Sequence, residues 1–174
     1  MYKKHAVVYF IMFFNIFAGI ASGEGTRHIE GDNVNLYFMN DKVFGTIETH
    51  PLWAVYNCGT DIKGEMDING KFCPFEFKYH NTGENVVTGL FGQSKMTLKK
   101  IEKSDSKFYY HMLIRDKEAV FSIRYERIED EHLVNSIIEG EINPDKKIKL
   151  TVDGHLCPFA TTGVILIVAG AIGG

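Results

Sequence analysis

Turn signals recur along the middle of this sequence at intervals of roughly 10–13 residues, with short runs of alternating polarity between them. Residues 75–79 (FEFKY) and 121–125 (FSIRY) both alternate apolar and polar side chains. Since successive side chains of a strand point to opposite faces, each run is typical of a strand with one buried face. The pattern predicts an all-β fold, a small antiparallel meander barrel or sandwich of about nine to eleven strands.

Turn-forming dipeptides locate the individual hairpins. Asn40-Asp41 separates the strand-like runs 35–39 and 43–48, and we expect a first hairpin there. Helical signals are few. Residues 129–138 are acidic at their start, which favours either a short helix or a loop that leads into a strand over 137–142.

One segment occurs twice. Residues 67–75 (DINGKFCPF) match 151–159 (TVDGHLCPF), and each contains Asn-Gly or Asp-Gly followed by Cys-Pro-Phe. Both dipeptides are typical of two-residue hairpin turns, so the match predicts turns at Asn69-Gly70 and at Asp153-Gly154. The proline after each turn predicts a strand position at a sheet edge or a bulge.

The amino-terminal residues 1–23 predict secretion. Lys3 and Lys4 precede an uncharged apolar run that ends in small residues, which is the pattern of a signal peptide cut after Ala21 or Gly23. An uncleaved membrane anchor is the alternative. We therefore expect an exported protein, secreted or held at the cell surface, whose folded domain covers residues 24–155.

The carboxyl-terminal residues 156–174 contain no charged side chain and are rich in glycine. Three interpretations remain open. The segment is a tail that contacts a membrane, or it contributes a buried strand through its β-branched run 164–168. In the third, it belongs to a removable glycolipid-anchor signal that begins near Asp153 and Gly154.

The chain has three cysteines, Cys58, Cys73 and Cys157. An exported protein favours their oxidation, so we expect one disulfide among the three and one remaining thiol. The internal repeat makes Cys73 and Cys157 equivalent, and a disulfide between them is one of the three pairings. The cysteine spacing does not match a zinc site.

Charge argues against a nucleic-acid partner, because the formal net charge is −3 and the basic residues are spread along the chain. Lysines cluster only around residues 95–103. Lys95, Lys99, Lys100 and Lys103 alternate there with apolar residues, which predicts a solvated strand face.

A search for sequence patterns of catalysis predicts no catalytic, cofactor or metal site. Glu65 and Asp67 share one strand face, which is typical of a solvent-exposed surface. Asp153 and His155 flank a glycine and could form a dyad, although a turn already accounts for the aspartate.

Aromatic residues supply the binding candidates. Trp53, Tyr56, Phe108, Tyr109 and Tyr110 could contact a ligand inside a barrel, or they could simply fill its core. Since residues 108–110 are consecutive in a predicted strand, at least one of them must face outward.

These observations favour a non-enzymatic exported β-domain that binds a protein or a small apolar ligand at or near a membrane surface, with membrane contact through the tail. Two alternatives remain. One is a secreted hydrolase whose Asp, Glu and His residues meet only in three dimensions. The other is a structural subunit of a surface assembly, joined through the tail or Cys157.

Overall fold

The computed structural model describes residues 26–31, 33–57, 59–80, 86–104, 106–129, 132–143 and 146–173. The predicted signal peptide and Cys58 lie outside these ranges. Twelve strands and one helix make up the described chain. The strands are β1 (Thr26–Gly31), β2 (Val34–Met39), β3 (Lys42–Ile47), β4 (His50–Asn57), β5 (Asp61–Ile68), β6 (Lys71–His80), β7 (Val86–Phe91), β8 (Ser94–Ser104), β9 (Lys107–Ile114), β10 (Lys117–Glu129), β11 (His132–Asn143) and β12 (Lys146–Leu156).

The strands form one closed antiparallel barrel in which each strand pairs with its neighbours in sequence. β1 closes the barrel against β12, with Ile29 opposite Val152. The predicted all-β meander is confirmed as a barrel with twelve strands. Glu129 ends β10 and residues 132–138 lie in β11, so the short helix considered there is wrong. Leu133 and Ile138 both face the core, because the register of β11 against β12 shifts between Val134 and Ser136.

The predicted turns at Asn40-Asp41 and Asn69-Gly70 are confirmed. Asn40 has φ 55°, Asn69 has φ 55° and Gly70 has φ 82°, the positive values that such hairpin turns require. Gly70 N–H also donates a hydrogen bond of 2.6 Å to Asp67 Oδ1. These local signals therefore set the register of two hairpins.

The barrel interior contains the carboxyl-terminal helix α1 (Pro158–Gly173), and every residue from Phe159 to Gly170 is buried. The helix packs against β6, β7, β8 and β11. The strand predicted for residues 164–168 is wrong, although its predicted burial is correct. Each barrel strand already pairs with two neighbours, so a further strand inside would have no hydrogen-bond partner. A helix satisfies its own backbone groups.

Glycines let α1 approach the wall. A Cβ atom on Gly170 would lie 2.5 Å from the ring of Phe91, whereas one on Gly163 would lie 3.2 Å from Ile62. At the far end of the helix, Lys146 Nζ donates a hydrogen bond to the carbonyl of Ile172. A cation at this position also interacts favourably with the negative end of the helix dipole.

Cys157 caps the start of α1. Its Sγ atom accepts a hydrogen bond of 3.3 Å from Ala160 N–H, and its carbonyl accepts one of 3.1 Å from Thr161 Oγ1. Pro158 occupies the first helical position, where a missing N–H has no cost. This junction follows β12 directly.

The hairpin turn predicted at Asp153-Gly154 is therefore wrong, because both residues lie within β12. The two copies of the repeat adopt different structures, a hairpin in the first and a strand followed by a helix in the second. No disulfide joins Cys73 to Cys157. Cys157 Sγ instead forms a hydrogen bond with the hydroxyl of Tyr56.

Candidate functional site

Strand alternation divides the five aromatic candidates between the two faces of the barrel wall. Trp53 faces outward and is 48% exposed, while Phe108 and Tyr110 face inward and are buried. Tyr109 lies between those two on β9 and takes the outer face, as its consecutive position predicted. Tyr56 lies inside, near the start of α1. The candidates therefore belong to two separate regions, one on the outer surface of the barrel wall and one inside the barrel.

The outer place is an open groove on the barrel wall with a volume of about 430 Å³. We call it the wall groove. Its sides come from β4, β5, β6 and β7, and they combine exposed apolar side chains with two carboxylates and one ammonium group. The residues that define it are Trp53, Val55, Lys63, Glu65, Pro74, Glu76 and Leu90.

Trp53 is held in position by Glu65, which lies directly opposite it on β5. The indole Nε1–H donates a hydrogen bond of 2.9 Å to Glu65 Oε1. Leu90, on the other side of the groove, is 50% exposed. Large apolar side chains that remain exposed and oriented are typical of interaction surfaces. Sequence reasoning found Trp53, assigned Glu65 only to a solvent-exposed strand face and missed Leu90, because the proximity of the three depends on strand register.

The inner place lies at the end of the barrel where β12 passes into α1. We call its residues the mouth cluster: Lys100, Lys103, Phe108, Tyr110 and Tyr125. The ring centroids of Phe108 and Tyr125 are 5.1 Å apart, and Lys100 Nζ lies 4.1 Å from the Phe108 centroid. Lys103 Nζ lies 5.7 Å from the same centroid.

The solvated face predicted for the four lysines is wrong for Lys100. Met96, Leu98 and Lys100 follow one another on the inner face of β8, and the residue opposite Lys100 is the buried Tyr110. Burial lowers the pKa of Lys100, and the charge of Lys103 lowers that pKa further. The two-residue alternation along β8 is the sequence signal that could have revealed this orientation.

Burial also raises the pKa of Tyr110, with smaller contributions from Tyr79 and Tyr125. The Tyr110 hydroxyl therefore keeps its proton at any ordinary pH and can donate a hydrogen bond. Tyr56 lies elsewhere at this end of the barrel. Its ring stacks on Phe159 of α1 at a centroid distance of 5.7 Å.

The groups considered for catalysis do not form an enclosed site. Asp153 and His155 are both exposed on β12, and the described residues contain no group of three His, Cys, Asp or Glu side chains that could hold a metal ion. Within the same residues, no helix is both long and apolar enough to cross a membrane.

Comparisons with known protein families, curated proteins and solved structures find no match to this chain.

Proposed function

We propose that this protein is a non-enzymatic exported binding domain whose wall groove recognises another protein. The observation that carries the proposal is the half-exposed Trp53, fixed by Glu65 beside the half-exposed Leu90. Tryptophan anchors of this kind dominate the binding energy of many protein interfaces.

The interior of the barrel gives less support for the small apolar ligand considered from the sequence. The side chains of α1 occupy the space that such a ligand would need, and Leu166 and Ile167 are completely buried there. Barrels that hold a small ligand need an interior that remains open. The proposal therefore concerns the outside of the wall.

The chemistry of the groove favours a protein over a membrane. Lys63, Glu65 and Glu76 place charges of both signs beside its apolar side chains, and Glu76 forms an ion pair with Lys78. Apolar side chains beside polar groups of both signs are typical of protein interfaces, whereas anionic lipid headgroups are bound by clusters of basic residues. The expected partner is thus a protein segment that presents an apolar side chain to Trp53 and Leu90.

The buried position of α1 also changes the role proposed for the tail. Its apolar side chains contact the barrel core and are unavailable to a membrane while the helix stays inside. The surface-assembly alternative loses support in the same way, since Cys157 is only 8% exposed. Asp153 and His155, on which the hydrolase alternative depended, lie on an exposed strand face.

The test uses the single tryptophan of the chain as a reporter. Peptides that bind the secreted domain are selected from a random display library and then titrated into it while Trp53 emission is recorded. We expect the selected peptides to share an apolar residue, to shift the emission, and to lose at least tenfold in affinity for Leu90→Ser.

Val120→Ser is the matched control, because Val120 is 53% exposed on β10, away from the wall groove. Equal loss of affinity in both variants, or selected peptides that leave Trp53 emission unchanged, would contradict a binding site in the wall groove. Export is tested separately by the intact mass of the natively secreted protein, which should begin after Ala21 or Gly23.

A further inference from the structure

In the mouth cluster, two ammonium groups lie near one buried aromatic ring. The mouth cluster is separate from the wall groove and takes no part in the binding proposed there. We propose that this cluster binds a small oxyanion through the ammonium groups of Lys100 and Lys103 and the hydroxyl group of Tyr110. The proposal is independent of the function proposed for the wall groove.

The positive charge of the cluster lacks a counterion among the described residues. Lys100 and Lys103 lie above the same Phe108 ring, at 4.1 Å and 5.7 Å from its centroid. The ion pairs found among the described residues join other side chains, such as Glu76 with Lys78 and Glu139 with Lys149. Two neighbouring cations without a carboxylate partner attract an anion.

Tyr110 provides an independent observation. Its side chain is 3% exposed, and its hydroxyl group makes no hydrogen bond to a described residue. Ser136 Oγ is the one described side-chain oxygen that is both sealed from solvent and without a hydrogen bond. The Tyr110 ring lies 6.4 Å from the Phe108 ring between centroids, so this side chain belongs to the aromatic group beneath the two lysines. A buried hydroxyl group of this kind gains substantially from a charged acceptor.

An oxyanion would also offset the two causes that lower the pKa of Lys100. Burial removes water from this ammonium group, and Lys103 repels it. A bound anion replaces the lost solvation and screens the repulsion between the two lysines. The favoured ligand is a compact group with several oxygen atoms, such as a phosphate, because lysines act as point charges toward such groups.

The phosphate group could belong to a free ion or to a lipid headgroup, and the experiment separates these sources. Inorganic phosphate is titrated into the full secreted protein by calorimetry at constant ionic strength, with chloride as the reference anion. In a second arm, the protein is mixed with phosphatidic acid vesicles or with phosphatidylcholine vesicles. Binding in the first arm identifies a free ion, and binding only to phosphatidic acid identifies a headgroup.

Variants then assign the binding to the cluster. The double variant Lys100→Met, Lys103→Met should lose phosphate affinity at least tenfold, and Tyr110→Phe should lose roughly tenfold through one missing charge-assisted hydrogen bond. Lys107→Met is the matched control, because Lys107 lies 5.0 Å from the ring centroid of the outward-facing Tyr109. Trp53 emission and circular dichroism confirm that each variant is folded.

Absence of binding in both arms would overturn the proposal. It would also be overturned if Lys107→Met lost as much affinity as the double variant, since the attraction would then be nonspecific. Unchanged affinity in Tyr110→Phe would remove the hydroxyl group from the site and contradict the proposal as stated.

Discussion

Trp53 and Glu65 lie directly opposite each other on β4 and β5, and the indole N–H donates a hydrogen bond of 2.9 Å to the carboxylate. The only tryptophan of the chain is therefore oriented by a neighbour while about half of its surface stays in solvent. Its contribution to folding should be smaller than that of a fully buried aromatic side chain, since only about half of its surface is removed from water.

We expect Trp53→Ala to lower the free energy of unfolding by no more than about 1–2 kcal/mol, because only about half of the side chain is buried. Phe77→Ala is the comparison, because Phe77 is completely buried on the inner face of β6, and it should cost about 3–5 kcal/mol. Urea unfolding followed by circular dichroism measures both values. If Trp53→Ala lowered the free energy of unfolding as much as Phe77→Ala, the main role of Trp53 would be to stabilise the fold.

The approach of α1 to the wall gives a prediction about two helical glycines. Replacement of Gly170 by Ala places a methyl group against the Phe91 ring and should cost about 1–3 kcal/mol through overpacking. At Gly163 the nearest atom belongs to Ile62 and is farther away. Gly163→Ala should be nearly neutral, because the helix propensity of Ala, up to about 1 kcal/mol better than Gly, offsets the contact.

Thermal unfolding of the two Gly→Ala variants measures this difference directly. If Gly163→Ala were the more destabilising variant, the position of α1 against β5 and β7 described here would be incorrect.

The cysteines give a chemical prediction. Cys157 is 8% exposed and caps α1, so iodoacetamide should modify it in the unfolded protein much faster than in the native protein. Burial raises the pKa of Cys73, which should also slow alkylation of any Cys73 thiol. Mass spectrometry of the digested protein locates the modified residues. A linked peptide that contains both Cys73 and Cys157 would contradict the arrangement.

Lys100 gives a prediction about pH. Burial and the charge of Lys103 lower the pKa of Lys100 below its ordinary value of 10.5, so the unfolded chain holds this proton more tightly. The resulting destabilisation is complete below the lowered pKa and disappears as the pH rises to the ordinary value. Lys100→Met should thus raise the melting temperature slightly at pH 7 and by less near pH 10.5.

Melting curves of the wild-type protein and of Lys100→Met are recorded between pH 7 and pH 11, at constant ionic strength and without phosphate. Loss of the contact between Lys100 and Phe108 reduces the expected gain, since a cation above an aromatic ring is itself favourable. A variant that melts below the wild-type protein at every pH would show that this contact outweighs the cost of burying the charge.

Local signals in the sequence predicted most of the barrel, because alternation and turn dipeptides act over a few residues. Residues 75–79 and the turn at Asn69-Gly70 illustrate both signals. The same logic failed at Asp153-Gly154, where an Asp-Gly pair lies inside β12. A turn dipeptide permits a hairpin, but pairing of β12 with both β1 and β11 decides that the strand continues.

The helix and the candidate sites depended on long-range relationships that local patterns do not contain. Residues 164–168 are β-branched and apolar, so their preference for a buried environment could be predicted, but their helical form follows only from barrel closure. Similarly, Trp53 and Leu90 share a groove because β4 to β7 pair in a particular register. The sequence therefore predicted which residues could bind, and the fold determines which of them meet.

The central claim of this account is that α1 forms the core of the barrel. Val164, Ile165, Leu166, Ile167 and Val168 are each at most 1% exposed, and burial contributes about 1.5–3 kcal/mol for each such side chain. Their sum is comparable with the entire stability of a typical domain, about 5–15 kcal/mol.

The most direct measurement is the thermal unfolding of a chain that ends at Cys157, compared with the full chain by near-ultraviolet circular dichroism. We predict that the truncated protein loses its aromatic signal and its cooperative transition. A truncated protein that keeps both, with an unchanged melting temperature, would contradict the account and show that the carboxyl-terminal segment is dispensable for the fold.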